Sequence, residues 1–176
     1  MLAAAILSIL LNPLLFIALD RLPAGRVRAR PGAAEPRLPA ADHIVVVGHG
    51  RVGRRIAAEL RHGSQPVLVI ESRREVVDEV ERETMTVLVD NAAAPGVLEA
   101  AGIGNAARLI VAIPNVYEAG QIVARARAAN AGLSIIARAH SDADVEHLEQ
   151  LGASHVVMGE RETARRMVEL ARERSE

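Results

Sequence analysis

The chain has no cysteine and no lysine, and it has very few aromatic residues. Without cysteine there can be no disulfides, no thiolate catalysis, no zinc fingers and no iron–sulfur clusters. Without lysine there can be no Schiff base and no P-loop lysine. Phe16 and Tyr117 are the only aromatic residues, so base-stacking platforms for single-stranded RNA are missing. The net charge of −1 also gives no general nucleic-acid footprint.

Aliphatic residues, by contrast, are abundant. Half of the 176 residues are hydrophobic, and nearly all of these are Ala, Val, Leu and Ile. This composition is typical of Val/Ile strands packed under Ala/Leu helices, and it argues against a disordered chain. The length predicts one ordinary domain plus an appendage.

The appendage begins with an uncharged stretch. Residues 1–19 contain only Ser8 and Asn12 as polar side chains. As a helix they would span roughly 28 Å, close to the ~30 Å hydrocarbon core of a bilayer. Pro13 is compatible with a transmembrane helix. We therefore predict a transmembrane helix over residues 1–20. One alternative is a signal peptide, although signal peptides have a positively charged n-region; the other is a buried helix.

Residues 21–41 have the composition of a linker. Five arginines stand against one glutamate, a net charge of +4, and four prolines break any helix. Positive charge directly after an apolar span predicts that this flank lies on the cytoplasmic side. The remaining residues, 42–176, carry a net charge of −4 and predict a separate folded domain.

Within residues 42–176, short β-branched runs alternate with helical periodicity. The predicted strands cover His43–Gly48, Pro66–Ile70, Thr86–Val89, Arg108–Ile113, Leu133–Ala137 and His155–Met158. The predicted helices cover Arg51–His62, Arg73–Glu83, Pro114–Asn130, Ser141–Leu151 and Glu160–Arg174. Strands separated by helices require parallel crossovers. The predicted fold class is therefore α/β, a Rossmann-like doubly wound sheet of six strands in the order 3-2-1-4-5-6.

A glycine motif follows the first predicted strand and opens the first predicted helix. It reads Gly48-His49-Gly50-Arg51-Val52-Gly53. Gly48 suits the tight turn, Gly50 lets the backbone approach a pyrophosphate, and Gly53 allows close helix–strand packing. The helix N-terminus would then offer N–H groups to phosphates. We interpret His49 as a residue that fills the loop and not as a catalytic base.

A second candidate contact is Glu71, at the end of the second predicted strand. A carboxylate there accepts hydrogen bonds from the adenosine ribose and repels a 2′-phosphate. Ser72 and Arg73 follow it as further candidate contacts, although Arg73 and Arg74 would neutralise a 2′-phosphate. The carboxylate favours NAD or a related adenine nucleotide over NADP.

Other candidate contacts lie where later strands end, because ligands of open parallel sheets bind beyond the carboxyl ends of the strands. They are Asp90, Asn91 and Ala92 after the third strand, Ala112 and Ile113 at the end of the fourth, and Arg138 at the end of the fifth. For Asn91 we expect a bond to the adenine edge and for Ile113 apolar packing against it; for Arg138 we expect phosphate or a partner subunit. Plain turn or surface roles are the alternatives.

No catalytic or metal site is predicted. The six histidines show no metal spacing, and His140-Ser141-Asp142 has the residue types of a triad but not a triad's geometry, because adjacent residues point apart. Ser141 and Asp144 instead predict a capping box. A small NAD-dependent oxidoreductase or epimerase is an alternative function. Such an enzyme needs an acid/base in the cleft, such as a Tyr–Lys pair, and the chain has no lysine.

With these motifs the sequence resembles the C-terminal part of Kef/YbaL-type monovalent cation:proton antiporters, namely their RCK-N/TrkA-N domain. Ala5–Pro13 resembles the last transmembrane helix of these transporters. The other segments that carry the resemblance are His43–Gly53, Val97–Ile103, Val111–Asn115, Ile136–Ser141 and Val157–Glu160. Asn91 falls in a turn where the family has Asp or Asn.

The resemblance implies a regulatory domain that dimerises, binds NAD(H) or an AMP/ATP-type nucleotide, and controls potassium/proton exchange at the inner membrane. No ion path can be built from one apolar helix, so we expect a fragment, a split subunit or a misplaced start codon. A dimerisation scaffold without ligand is a further alternative. The stripe of Ala164, Met167, Val168 and Ala171 is expected to pack on its own sheet or to be shared with a second chain.

Overall fold

The computed structural model describes residues 41–73 and 86–173. Strands β1 to β6 are Ile44–Val47, Val67–Ile70, Thr86–Leu88, Arg108–Val111, Ser134–Ala139 and His155–Met158. Helices α1 to α5 are Arg51–Leu60, Val97–Ala100, Val116–Ala129, Asp142–Gln150 and Gly159–Glu173, and a 3₁₀ turn spans Ile103–Asn105. The predicted transmembrane helix, most of the linker and the predicted helix beyond Arg73 lie outside these ranges. Within them, no helix has the length and apolarity needed to cross a membrane.

The six strands form one parallel sheet in the order β3-β2-β1-β4-β5-β6, which confirms the predicted topology. Strand β1 lies in the middle, with Ile44 opposite Val67 on one side and opposite Arg108 on the other. The strand order reverses between β1 and β4. In doubly wound sheets the crevice at this reversal, beyond the carboxyl ends of the strands, is where ligands bind.

Both faces of the sheet are packed under apolar side chains. Strands β1 and β2 are buried along their whole length, as continuous apolar runs in parallel sheets are. Val45 and Val47 belong to the core that includes Ile122 and Val123 of α3, whereas Val46 packs with Ala57 of α1 on the other face. Each buried Val or Ile side chain contributes roughly 1.5–3 kcal/mol, so the two cores hold β1 firmly in place.

Helix N-termini follow the capping chemistry of the sequence. The Asn115 side chain accepts hydrogen bonds from the backbone N–H groups of Tyr117 and Glu118 at the start of α3. At the start of α4, Ser141 and Asp144 form the predicted capping box. These caps satisfy N–H groups that a helix otherwise leaves without partners.

Helix α5 differs from the buried strands and helices described above. None of its residues is buried, and Met167 and Val168 are 66% and 48% exposed. The expectation that the α5 stripe packs on its own sheet is therefore wrong for the part of the chain described. The helical spacing of the stripe was right, but spacing alone does not say which surface covers an apolar face.

Candidate functional site

The glycine motif forms the turn between β1 and α1. Gly48 has φ +89° and donates its N–H to the Ile70 carbonyl at 2.9 Å. A Cβ at Gly48 would lie 2.7 Å from Cγ2 of Ile113, so both the backbone conformation and the space require glycine. At Gly53 a Cβ would lie 1.8 Å from the Gly48 carbonyl oxygen. These two glycines therefore serve the close packing of strand, turn and helix.

Gly50 differs from its two neighbours in the motif. Its φ of −77° is open to any residue, and a Cβ there would meet nothing within 4 Å. Nothing in the fold of the described residues requires glycine at this position. The missing side chain instead leaves open space next to the backbone at the helix N-terminus.

The N-terminus of α1 has no side-chain cap. Gly50 is the N-cap residue, and the first turn contains no acidic residue. The first N–H groups of a helix point along its axis and carry about half a positive charge, which favours an anion. Arg51, exposed in the first turn, adds a full positive charge. Exposed Val52 lies beside it.

Glu71 lies directly after β2 and is turned toward the glycine motif. Its side chain is only 5% exposed. Oε2 accepts the backbone N–H of His49 at 2.8 Å, and Oε1 accepts the backbone N–H of Arg73 at 2.9 Å. The carboxylate therefore connects the turn after β1 to the segment after β2, at the carboxyl ends of these two strands.

The Arg73 side chain occupies the remaining acceptor positions of Glu71. Nε lies 3.2 Å from Oε1 and Nη2 lies 3.2 Å from Oε2. The sequence predicted that the Glu71 carboxylate accepts hydrogen bonds from a ribose; in the structure both of its oxygens accept hydrogen bonds from the chain itself. Ser72, between the two residues, is exposed.

These contacts set the ionisation of Glu71. Burial raises the pKa of this carboxyl, but hydrogen bonds from the Arg73 side chain, the Arg73 backbone and the His49 backbone lower it, together with the Arg73 charge, to about 2. Hydrogen bonds to the ionised form favour that form. Glu71 is therefore a carboxylate at all physiological pH values.

His49 fills the interior of the turn, as the sequence analysis expected. Its side chain is 3% exposed, and neither ring nitrogen has a hydrogen-bond partner among the described residues. Its backbone N–H donates a hydrogen bond to Oε2 of Glu71.

Asp90, Asn91 and Ala92 form a turn at the end of β3. Asp90 Oδ1 accepts the Asn91 N–H and Asn91 Oδ1 accepts the Ala93 N–H, each at 2.7 Å. Arg125 of α3 donates to the Ala93 carbonyl, a contact that no sequence signal indicated. In the described ranges, no hydrogen bond or ion pair joins this turn to the glycine motif.

The end of β4, by contrast, lies against the glycine motif. Ala112 donates its N–H to the Val47 carbonyl at 2.9 Å, and Ile113 contacts Gly48 as described above. Half-buried Arg138 lies on β5, one strand further from β1. The Arg138 side chain makes no hydrogen bond or ion pair within the part of the chain that the structure describes.

This arrangement can be compared with known proteins. Residues 44–159 match the TrkA-N domain family. The chain belongs to the TrkA-N domain family. The matched range begins with β1 and ends at the start of α5, so the TrkA-N domain contains the whole sheet and the glycine motif.

Two curated relatives are named for cation movement. YbaL of Escherichia coli K12, assigned as a cation/proton antiporter, is 42% identical over 96% of this chain. The glutathione-regulated potassium-efflux protein KefC of Klebsiella pneumoniae is 30% identical over 91% of it. The chain spans 32% of the length of YbaL and 25% of the length of KefC.

Solved structures share the TrkA-N fold. The TrkA-N domain of the E. coli inner membrane protein YbaL matches with a TM-score of 0.71 and 45% identity, covering 74% of this chain and 96% of that one. GsuK with bound ADP matches with a TM-score of 0.59 and 27% identity, covering 66% of this chain and 30% of that one. The GsuK channel with bound NAD shares the fold at a TM-score of 0.62 and 19% identity, covering 89% and 27%.

Proposed function

We propose that this TrkA-N domain binds NAD(H) or an AMP/ATP-type adenine nucleotide and thereby regulates potassium/proton antiport by a transporter in the inner membrane. The proposed organisation is a transmembrane helix at residues 1–20, a linker at 21–41 and the nucleotide-binding domain at 42–176, with residues 21–176 on the cytoplasmic side. In this proposal the nucleotide is a signal and not a reactant, so the domain is not an enzyme.

The open backbone at Gly50 carries the proposal. A Cβ at Gly50 would meet nothing within 4 Å, and this open space adjoins an uncapped helix N-terminus. Phosphates are suited to that position, because they accept hydrogen bonds from the free N–H groups of α1. The adenosine ribose would then lie toward Glu71, whose carboxylate is held at the same crevice. The apolar end of β4, at Ile113, would pack against adenine.

The proposed ligand contacts extend along the carboxyl ends of the strands. They are Gly48, His49, Gly50, Arg51, Val52, Gly53, Glu71, Ser72, Arg73, Asp90, Asn91, Ala92, Ala112, Ile113 and Arg138. The side chain of Asn91 already stabilises its own turn through Oδ1, so its amide nitrogen is the atom proposed to reach adenine. The relatives support the choice of ligand and of process, because GsuK holds ADP and YbaL is named for cation/proton antiport.

Gly50→Asp tests the proposed site. An Asp side chain at this N-cap position would accept the free N–H groups of α1 and repel phosphates, so we expect loss of nucleotide binding with a thermal midpoint that is retained or slightly raised. Gly104→Asp is the matched control, because a Cβ at exposed Gly104 also meets nothing within 4 Å. Titration calorimetry of the full chain with NADH, NAD, AMP and ATP measures both variants. Wild-type protein that binds none of them at millimolar concentration contradicts the proposal.

We further propose that the domain forms a homodimer through α5. This helix continues directly from edge strand β6, and Met167, Val168 and Leu170 are exposed on it. Its arginines and glutamates already pair with one another, as Arg165 does with Glu169. An apolar face flanked by paired charges is typical of a helix that packs against a partner.

A further inference from the structure

We infer that Arg73 competes with the ribose cis-diol of an adenine nucleotide for Glu71, and that it thereby sets the affinity of the site and its preference for ligands with an intact ribose. This inference rests on the proposed function. It gives Arg73, which the proposed function places beside the ligand, the further role of a displaceable internal partner of Glu71.

Two kinds of hydrogen bond hold the Glu71 carboxylate. Backbone N–H groups of His49 and Arg73 approach at 2.8 and 2.9 Å and fix its position. The Arg73 guanidinium approaches through Nε and Nη2, at 3.2 Å each. A carboxylate has room for about four such donors, so Glu71 is fully occupied as it stands.

The guanidinium is the partner that can leave. The Arg73 side chain is 58% exposed, whereas Glu71 is buried, so solvent can replace the bonds that arginine gives up. The two backbone donors would keep Glu71 aimed into the crevice after Arg73 has moved. Because the arginine of this ion pair is exposed, water screens its attraction to the carboxylate, which makes the exchange energetically accessible.

A ribose matches what the guanidinium supplies. Nε and Nη2 of arginine present two N–H donors side by side to the two oxygens of a carboxylate. The 2′- and 3′-hydroxyls of ribose, on adjacent carbons, present two O–H donors in the same way. Both groups therefore use the same lone pairs of Glu71, and only one of them can hold both oxygens at a time.

Removing Arg73 should tighten binding of an anionic ligand. Arg73→Ala is expected to bind AMP and NADH roughly three- to tenfold more tightly, which is the scale of an ion pair whose arginine is screened by water. Simple electrostatics predicts the opposite, because the variant loses a positive charge near a phosphate ligand. The gain should vanish for 2′,3′-dideoxyadenosine 5′-monophosphate, which has no hydroxyls to occupy Glu71.

Titration calorimetry of the full chain in detergent, with AMP and its dideoxy analogue, compares wild type, Arg73→Ala and Arg61→Ala. Arg61 is an exposed arginine at the end of α1 that donates to His62, so its removal makes the same charge change away from Glu71. Tighter AMP binding by Arg73→Ala alone, with no gain for the dideoxy analogue, supports the inference. Equal or weaker AMP binding by Arg73→Ala overturns it.

The two proposals fail in distinguishable ways. Wild type that binds AMP, with Arg73→Ala binding no better, overturns the role of Arg73 and leaves the nucleotide site standing. Absence of binding by both proteins overturns both proposals. Binding by Arg73→Ala alone supports the role of Arg73 as a competitor for Glu71 and overturns the proposed function for the wild-type protein, whose site its own arginine keeps closed.

Discussion

Glu71 shows how a single side chain can join two segments that are distant in sequence. Its carboxylate accepts backbone N–H groups from the turn after β1 and from the segment after β2. Each charge-assisted bond of this kind is shorter and stronger than a neutral one. The conformation of the glycine motif is therefore tied to the ionisation of this residue.

A pH dependence of stability follows from Glu71. Its pKa falls from 4.5 to about 2 on folding, so between these values the unfolded chain binds a proton that the native state does not. The contribution of Glu71 to the free energy of unfolding is thus fully present above about pH 4.5 and is lost as the pH falls toward 2. The loss is at most roughly 3 kcal/mol, reduced by solvent screening at exposed Arg73.

Urea unfolding of wild type and Glu71→Gln at pH values from 2 to 7 measures this contribution. The variant should be less stable at pH 7 and should show a flatter profile below pH 4.5. Glu99→Gln, an exposed position on α2, is the matched control. Identical acid profiles for wild type and Glu71→Gln would contradict the assigned contacts.

The sequence predicted which residues lie at the turn after β1 and at the end of β2, but not which hydrogen bonds join them. The spacing of Gly48, Gly50 and Gly53 predicts a turn, and the position of Glu71 after a strand predicts a carboxylate beside it. The occupation of Glu71 by Arg73 depends on the path of the backbone after β2 and on a side-chain rotamer. Neither has a local signature in the sequence.

At the scale of elements, α4 is the helix whose first residue the sequence predicts most clearly. The Ser141 hydroxyl accepts the Asp144 N–H, and the Asp144 carboxylate accepts the N–H groups of His140 and Ser141. These bonds lower the pKa of Asp144, with the one from the His140 backbone as the main cause. The capping box also orients the chain as it leaves β5.

Ser141→Ala should therefore destabilise the domain by about 1 kcal/mol, the usual value of an N-cap side chain. Ser141→Asn should retain most of the stability, because asparagine is an equally good N-cap acceptor. Midpoints of urea unfolding compare the two variants with wild type. Equal losses in both would show that the hydroxyl acts through something other than the cap.

Elements with a strong pattern were predicted within a few residues, and the weak ones were missed. Buried runs such as Ile44–Val47 need no tertiary information to be recognised as strands. Helix α2 and the 3₁₀ turn after it are too short to show a helical period. Their ends depend on Gly96 and Gly102, which adopt φ +82° and +70°.

At the scale of the whole molecule, the exposed face of α5 predicts self-association. Met167→Glu should convert a dimer to a monomer, because a charge on the 66% exposed Met167 would be buried without a partner in the interface. Ala128→Glu, at an exposed position of α3, makes the same charge change outside α5 and should leave the dimer intact. Sedimentation velocity measures both variants. A monomeric wild type, or dissociation of both variants alike, contradicts the prediction.

The pairing of β1 has a consequence for the order of events during synthesis. One side of β1 pairs with β2, but the other pairs with β4, some sixty residues further along the chain. Gly48 also packs against Ile113 just beyond β4. A nascent chain therefore cannot complete its central strand or the turn that follows until the ribosome has released residues past 113. Contacts of such long range form slowly. The nascent chain therefore gains the ability to bind a ligand only late in its folding.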